Sequence, residues 1–82
     1  MSIWDEIKAE QALIERFHGD RSIGGAALSP AERFVVLSEA VGRAAAQVLL
    51  GPSSTEGVRR TLVTLAACAV AWIEHIDKEA EQ

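Results

Sequence analysis

Apolar and polar residues repeat at helical spacing in three stretches, and nowhere in the strict alternation of a half-buried strand. Ile3, Ile7, Ile14 and Phe17 mark one face of a first helix, over about residues 2–18. Ser2 with Asp5 three residues on has the form of a capping box, and His18-Gly19 supplies a helix end. Glu10 breaks the stripe, a carboxylate at a core-facing position. Residues 20–28 hold Gly24-Gly25 and show no periodicity, which predicts a mobile loop. Ser29-Pro30-Ala31-Glu32 opens a second helix, over about 30–50, that Gly51-Pro52 stops. Its apolar stripe is Phe34, Leu37, Val41, Ala44, Ala45 and Val48, while Glu32, Glu39, Arg43 and Gln47 fall on one polar line. Ser53 with Glu56 announces the third helix, over about 54–80.

That third helix is about 40 Å long at 1.5 Å per residue, more than two shorter helices cover. Val58, Leu62, Leu65, Ala69, Trp72 and Ile76 follow the alternating steps of four and three that mark a left-handed packed seam. Ala66, Ala67, Cys68, Val70, Ala71 and Ile73 make its middle apolar on every side, and such a helix has to be buried on every side. The candidate subunit interface is therefore Leu62, Leu65, Ala66, Ala69, Val70, Trp72, Ile73 and Ile76. The expected architecture is all-α: three helices in one domain over residues 1–82, forming an oligomeric helical bundle as a homodimer or homotetramer.

Composition strengthens that expectation. The chain is 49% hydrophobic, yet fourteen of its 82 residues are alanine and only Trp4, Phe17, Phe34 and Trp72 are aromatic. It is rich in apolar residues and poor in apolar volume, so a monomeric core is thin. One cysteine, Cys68, excludes an internal disulfide, and no Cys/His cluster offers a zinc site. A net charge of −4 argues against DNA or RNA binding by general electrostatics. The longest apolar run, Leu62 to Ile73, is too short to cross a bilayer, which takes about 20 residues. With no basic, apolar leader at the amino terminus, the expectation is a cytoplasmic protein that makes no membrane contact.

Few groups offer chemistry. Cys68 sits among alanine and leucine as a small inert hydrophobe, and no Ser or Cys stands in a nucleophile elbow. Gly24-Gly25 lacks the pattern of a phosphate loop. Arg59-Arg60 could touch a phosphate and Glu74-x-x-Asp77 could share a divalent cation, but the favoured readings are a solvated basic pair and a solvated helix end, with Glu39 and Arg43 an exposed ion pair. Glu10 alone demands either a partner or a cleft.

Three segments, in order along nearly the whole chain, resemble the small MazG-like proteins of the all-α nucleoside triphosphate pyrophosphohydrolases, especially the short versions found in phages and prophages. Trp4-Asp5-Glu6-Ile7 with Glu10, then His18-Gly19-Asp20, is similar to that group's leading helix and turn. Leu37-Ser38-Glu39-Ala40-Val41-Gly42-Arg43 resembles its Leu-x-Glu-Glu-x-Gly-Glu motif, and residues 62–77 resemble its final helix. The resemblance implies a Glu-Glu-x-x-Glu set facing a Glu-x-x-Asp set. Together these hold Mg²⁺, a hard cation that wants acidic oxygens.

Here four of the five acidic positions are changed. Glu39 is kept, Ala40 and Arg43 replace two glutamates, and Thr61 and Thr64 replace the Glu-x-x-Asp pair. The expectation is a catalytically degenerate member with no catalytic residue, no metal site and no cofactor, acting by binding a host protein or a homologous partner. Its remnant site would be Glu39, Arg43 and Glu10. Two alternatives stand beside it. One is a metal-independent nucleotide-binding or sequestering module that grips phosphate through Arg33 and Arg43. The other is a divergent active pyrophosphohydrolase, the only case that requires Mg²⁺.

Overall fold

A computed structural model describes residues 2–51 and 54–81. They form α1 (Ile3–His18), α2 (Pro30–Leu49) and α3 (Thr55–Ala80), with one 3-10 turn at Gly19–Arg21 and no strand among the described residues. Each helix begins on a serine that accepts a backbone N–H of the first turn. Ser2 Oγ accepts from Asp5 N at 3.1 Å and Ser29 Oγ from Glu32 N at 3.2 Å, and both caps are closed by the returning carboxylate. Ser54 Oγ accepts from Gly57 N at 2.9 Å and is the cap of α3. Ser53 and Pro52, the expected start of that helix and stop of the one before, lie outside the described residues.

α1 and α2 flank α3 and pack against it, and among the described residues their backbones do not approach each other closely. Glu6 pairs with Arg59 and Gln11 with Ala67 and Glu74, so α1 runs parallel to α3. Arg33 meets His75, Phe34 meets Trp72 and Gln47 meets Thr61, so α2 runs antiparallel to it. The result is an up-down-up layer of 46 × 31 × 20 Å with α3 in the middle. Burial sharpens the stripes read from periodicity. On α1 it is Ile7, with Glu10, Gln11 and Ile14 half-buried, that faces α3, while Ile3 and Phe17 are exposed. On α2 the inward line is Arg33, Leu37, Ala40 and Ala44, and Phe34, Val41 and Val48, expected in the core, are each more than half exposed.

The largest departure concerns residues 20–28, expected to be a mobile loop. The segment is anchored in the core by three of its residues: Ile23 is 1% exposed, and Ser22 and Leu28 are also buried, while Asp20, Arg21, Gly24, Ala26 and Ala27 are exposed. The segment folds on itself through Ser22 N–H to Gly19 O, Gly25 N–H to Ser22 O and Ala27 N–H to Asp20 O, at 2.9–3.0 Å. Its glycines serve close approach. A Cβ on Gly25 would lie 2.4 Å from Asp20 O, and one on Gly24 would lie 3.1 Å from Ala71 Cβ on α3. Gly19, at φ 56°, makes the turn out of α1, as its position after His18 predicts.

Arg33 pins this segment. Only 3% exposed, its guanidinium donates to Ile23 O and to Leu28 O (2.7 Å), and Nη2 lies 3.2 Å from His75 Nε2. His75 in turn meets Glu79 one turn on. Arg33→Met fills similar volume but leaves two loop carbonyls without their donor, and a buried unmet acceptor costs about 1–3 kcal/mol. The variant should lose about 2–4 kcal/mol in urea denaturation, and Arg33→Lys, with a single point of charge, should recover only part of it.

Glu6, Glu32 and Glu74 have acidities shifted the same way. A hydrogen bond from Arg59, then its charge, holds Glu6 below the usual carboxylate range. Backbone and side-chain hydrogen bonds of Ser29 do so for Glu32, and the Lys8 hydrogen bond does so for Glu74. Because the folded values are depressed, their contribution is present above the ordinary value of 4.5 and lost as pH falls through the lower folded values. The urea midpoint should therefore decline below about that pH, and Glu6→Gln should flatten the decline.

Candidate binding groove

α1, the buried loop, α2 and the first half of α3 enclose a groove of about 520 Å³ on one face of the layer. Helical spacing sets its walls. Glu39, Ala40, Arg43 and Gln47 project from one side of α2, and Gly57, Arg60, Thr61, Thr64 and Cys68 from one side of α3. His18, Arg21, Ser22 and Ile23 close it at the loop end. Positions 39, 40, 43, 61 and 64, singled out in the sequence, therefore line one groove.

Its charge is reversed relative to a metal site. Glu39 is the one carboxylate among the lining residues, against the guanidinium groups of Arg21, Arg43 and Arg60. Arg21 reaches Glu32 only at 3.9 Å, and among the described residues the guanidinium groups of Arg43 and Arg60 have neither an ion pair nor a hydrogen bond. The expected Glu39–Arg43 ion pair is likewise absent among the described residues. The threonine hydroxyls turn back on the protein: Thr61 donates to Gln47 Oε1 (2.6 Å) with Gly57 O at 3.0 Å, and Thr64 donates to Arg60 O (3.2 Å). This donor set does not fit Mg²⁺, which needs several acidic oxygens and would face three positive groups. No group of three or more His, Cys, Asp or Glu is placed to hold a metal among the described residues.

The other expected site residues fall elsewhere. Arg33 does not line the groove: it is buried under the loop and its donors are engaged there, so it is unavailable to a ligand and the expected Arg33–Arg43 phosphate grip is corrected. Glu10 is half-buried on α1 outside the groove lining, near enough for its charge to act on Cys68. Of the expected interface residues, Leu62, Ile73 and Ile76 are more than half exposed, and Leu65, Ala66, Ala69, Val70 and Trp72 are half-buried. Arg21 and His18 were missed, and Arg60 was set aside as a solvated residue. Arg60 reads as half of a solvated pair until a helical wheel sets it beside Gly57, Thr61 and Thr64; its neighbour Arg59 instead grips Glu6 at 2.6 and 2.7 Å. Nothing local marks Arg21 or His18, which the loop brings in.

A larger cavity of about 1120 Å³ lies beyond the loop, between α1 and the end of α3. Its lining is mainly acidic, with Glu15, Asp20, Glu74 and Glu79 against Arg16 and Lys78, and Glu74 is held by Lys8 (2.5 Å) and Gln11 (3.2 Å) while Glu79 meets His75. The smaller groove is the one whose lining carries an excess of positive charge. No helix among the described residues is long and apolar enough to cross a membrane. Set against protein-family profiles, curated proteins and solved structures, the chain matches none.

Cys68, at the groove floor, is buried, and its thiol is pushed up first by burial and then by the charge of Glu10, with Arg43 opposing. A thiol so placed is a poor nucleophile. An aromatic disulfide reagent should modify it at least about 100-fold more slowly in the folded protein than in urea.

Proposed function

We propose that this protein acts by binding and not by hydrolysis, and that its groove takes a phosphate-bearing anion of the nucleotide class without a metal. The observation that carries the reading is the pair of unmatched guanidinium groups, Arg43 and Arg60, on facing helices across a groove with a single carboxylate. Guanidinium is a planar, always charged, bidentate donor to phosphate oxygens, and gives from the protein the charge neutralisation that a metal gives elsewhere. Ala40, Leu65 and Val36 add apolar wall for the uncharged part of such a ligand. The resemblance to MazG-like pyrophosphohydrolases is consistent with a nucleotide, and the loss of their acidic ligands argues against their reaction.

A second reading, that the partner is a protein, is favoured by the apolar side chains left exposed on all three helices, among them Trp4, Phe17, Leu49 and Ile73. In that reading the partner is a host protein, a homologous chain, or further copies in a homodimer or homotetramer.

Isothermal titration with nucleoside mono- and triphosphates and with inorganic pyrophosphate, in chelator, tests the first reading. Saturable heat is expected, weakened about 10-fold or more by Arg43→Ala and by Arg60→Ala, the scale of one charge-assisted contact. Absence of heat with every anion removes it. Pyrophosphate release from any nucleoside triphosphate with Mg²⁺ or Mn²⁺, abolished by Glu39→Ala, would establish the divergent enzyme instead.

A further inference from the structure

We propose that the charge-free face shared by α2 and α3, on the side of the layer away from the groove, docks a second copy of this chain in a two-fold dimer. This inference rests on the self-association reading above and not on the anion groove.

On α2, the charged residues Glu32, Arg33, Glu39 and Arg43 all fall toward the groove or the core, and the opposite side presents Phe34, Val41 and Val48 at intervals of seven. Each is more than half exposed. α3 continues that face with Leu62, Ala69, Ile73 and Ile76, three of them more than half exposed and none charged. Phe34 packs edge-on against Trp72, with ring centroids 4.5 Å apart, and joins the two strips into one surface.

The extent of this surface suits a dimer. Twenty residues of α2 span about 30 Å, and two packed helices are about 20 Å wide, giving a flat footprint of about 600 Å². That is at the upper limit for a monomer's largest apolar patch, and side-chain relief brings it toward the ~800 Å² each partner contributes to a standard interface. A second copy is the occupant that fits. With no charge on the face, nothing steers or selects a different protein by electrostatic complementarity. Larger side chains stand at both ends of the face, Phe34, Trp72 and Ile76 at one and Val48 with Leu62 at the other, and the small Ala66 and Ala69 lie between them with Val41. A two-fold axis near Val41 sets each end of one copy on the opposite end of the other, with the alanines allowing close approach at the centre. It also supplies the missing core, since among the described residues the buried apolar set is limited to Ile7, Ile23, Leu28, Ala67 and Cys68.

Sedimentation equilibrium of the full chain should give about twice 8.8 kDa in the micromolar range. Val41→Glu should raise the dissociation constant by at least about 100-fold, while Val35→Glu, 57% exposed but off the face, should leave it unchanged. Since Val41 lies by the axis, Val41→Cys should form an intermolecular disulfide under mild oxidation and Val35→Cys should not, a readout that holds even if Val41→Glu disturbs folding. A monomeric wild-type chain overturns the proposal and self-association with it, including the case in which the face captures a different protein. A dimer indifferent to Val41→Glu and unbridged by Val41→Cys overturns the face alone. Neither result touches the anion titrations.

Discussion

One buried guanidinium organises this protein. Arg33 enters α2 directly after its capping box and turns inward, where it donates to two carbonyls of the loop and abuts His75 of α3. Three segments distant in sequence thus converge on a single planar group. A charge so buried is tolerated only when its donors are met, and among the described residues no buried side-chain polar atom lacks a partner. α1 and α2 each pack on α3, and Ile23, 1% exposed, closes the loop end of the groove that lies between them.

The groove depends on that arrangement. Arg21, Ser22 and Ile23 belong both to the pinned segment and to the groove wall, so the loop that completes the small core also shapes the site. Arg33 is held away from solvent in the process, and the positive character of the groove comes instead from Arg43 and Arg60 on facing helices, with Arg21 at the rim. One face of the layer therefore carries charge and a cleft. The other carries Phe34, Val41, Val48, Leu62, Ile73 and Ile76 with no charge at all, and the two sides are suited to different partners.

Helices were legible in the sequence because their signals are local. Ser2 with Asp5 and Ser29 with Glu32 are capping boxes in both pattern and structure, and the observed bounds lie within a residue of those expected. Gly19 was legible for the same reason. The loop was not: Ile23 and Leu28 follow no period, and a glycine pair reads as freedom when only tertiary contact shows that Gly25 abuts Asp20 and Gly24 abuts Ala71. Arg33 misled likewise: expected to grip phosphate with Arg43, it instead meets two loop carbonyls that only the tertiary fold brings to it. Of the groove, Glu39, Ala40, Arg43, Thr61 and Thr64 were singled out in advance, whereas His18 and Arg21 are gathered by the loop fold and leave no spacing to read.

The claim on which the rest stands is that residues 20–28 fold as a fixed segment anchored in the core by Ser22, Ile23 and Leu28, and amide hydrogen exchange of the intact chain tests it most directly. Ser22, Gly25 and Ala27 each donate a backbone hydrogen bond inside that segment. Their amides should be protected to the same degree as those of Ala67 and Cys68 in the middle of α3, because both would exchange only when the Arg33 contacts and the core open together. Exchange of those three amides at the rate of an unstructured peptide, with α3 still protected, would contradict the account.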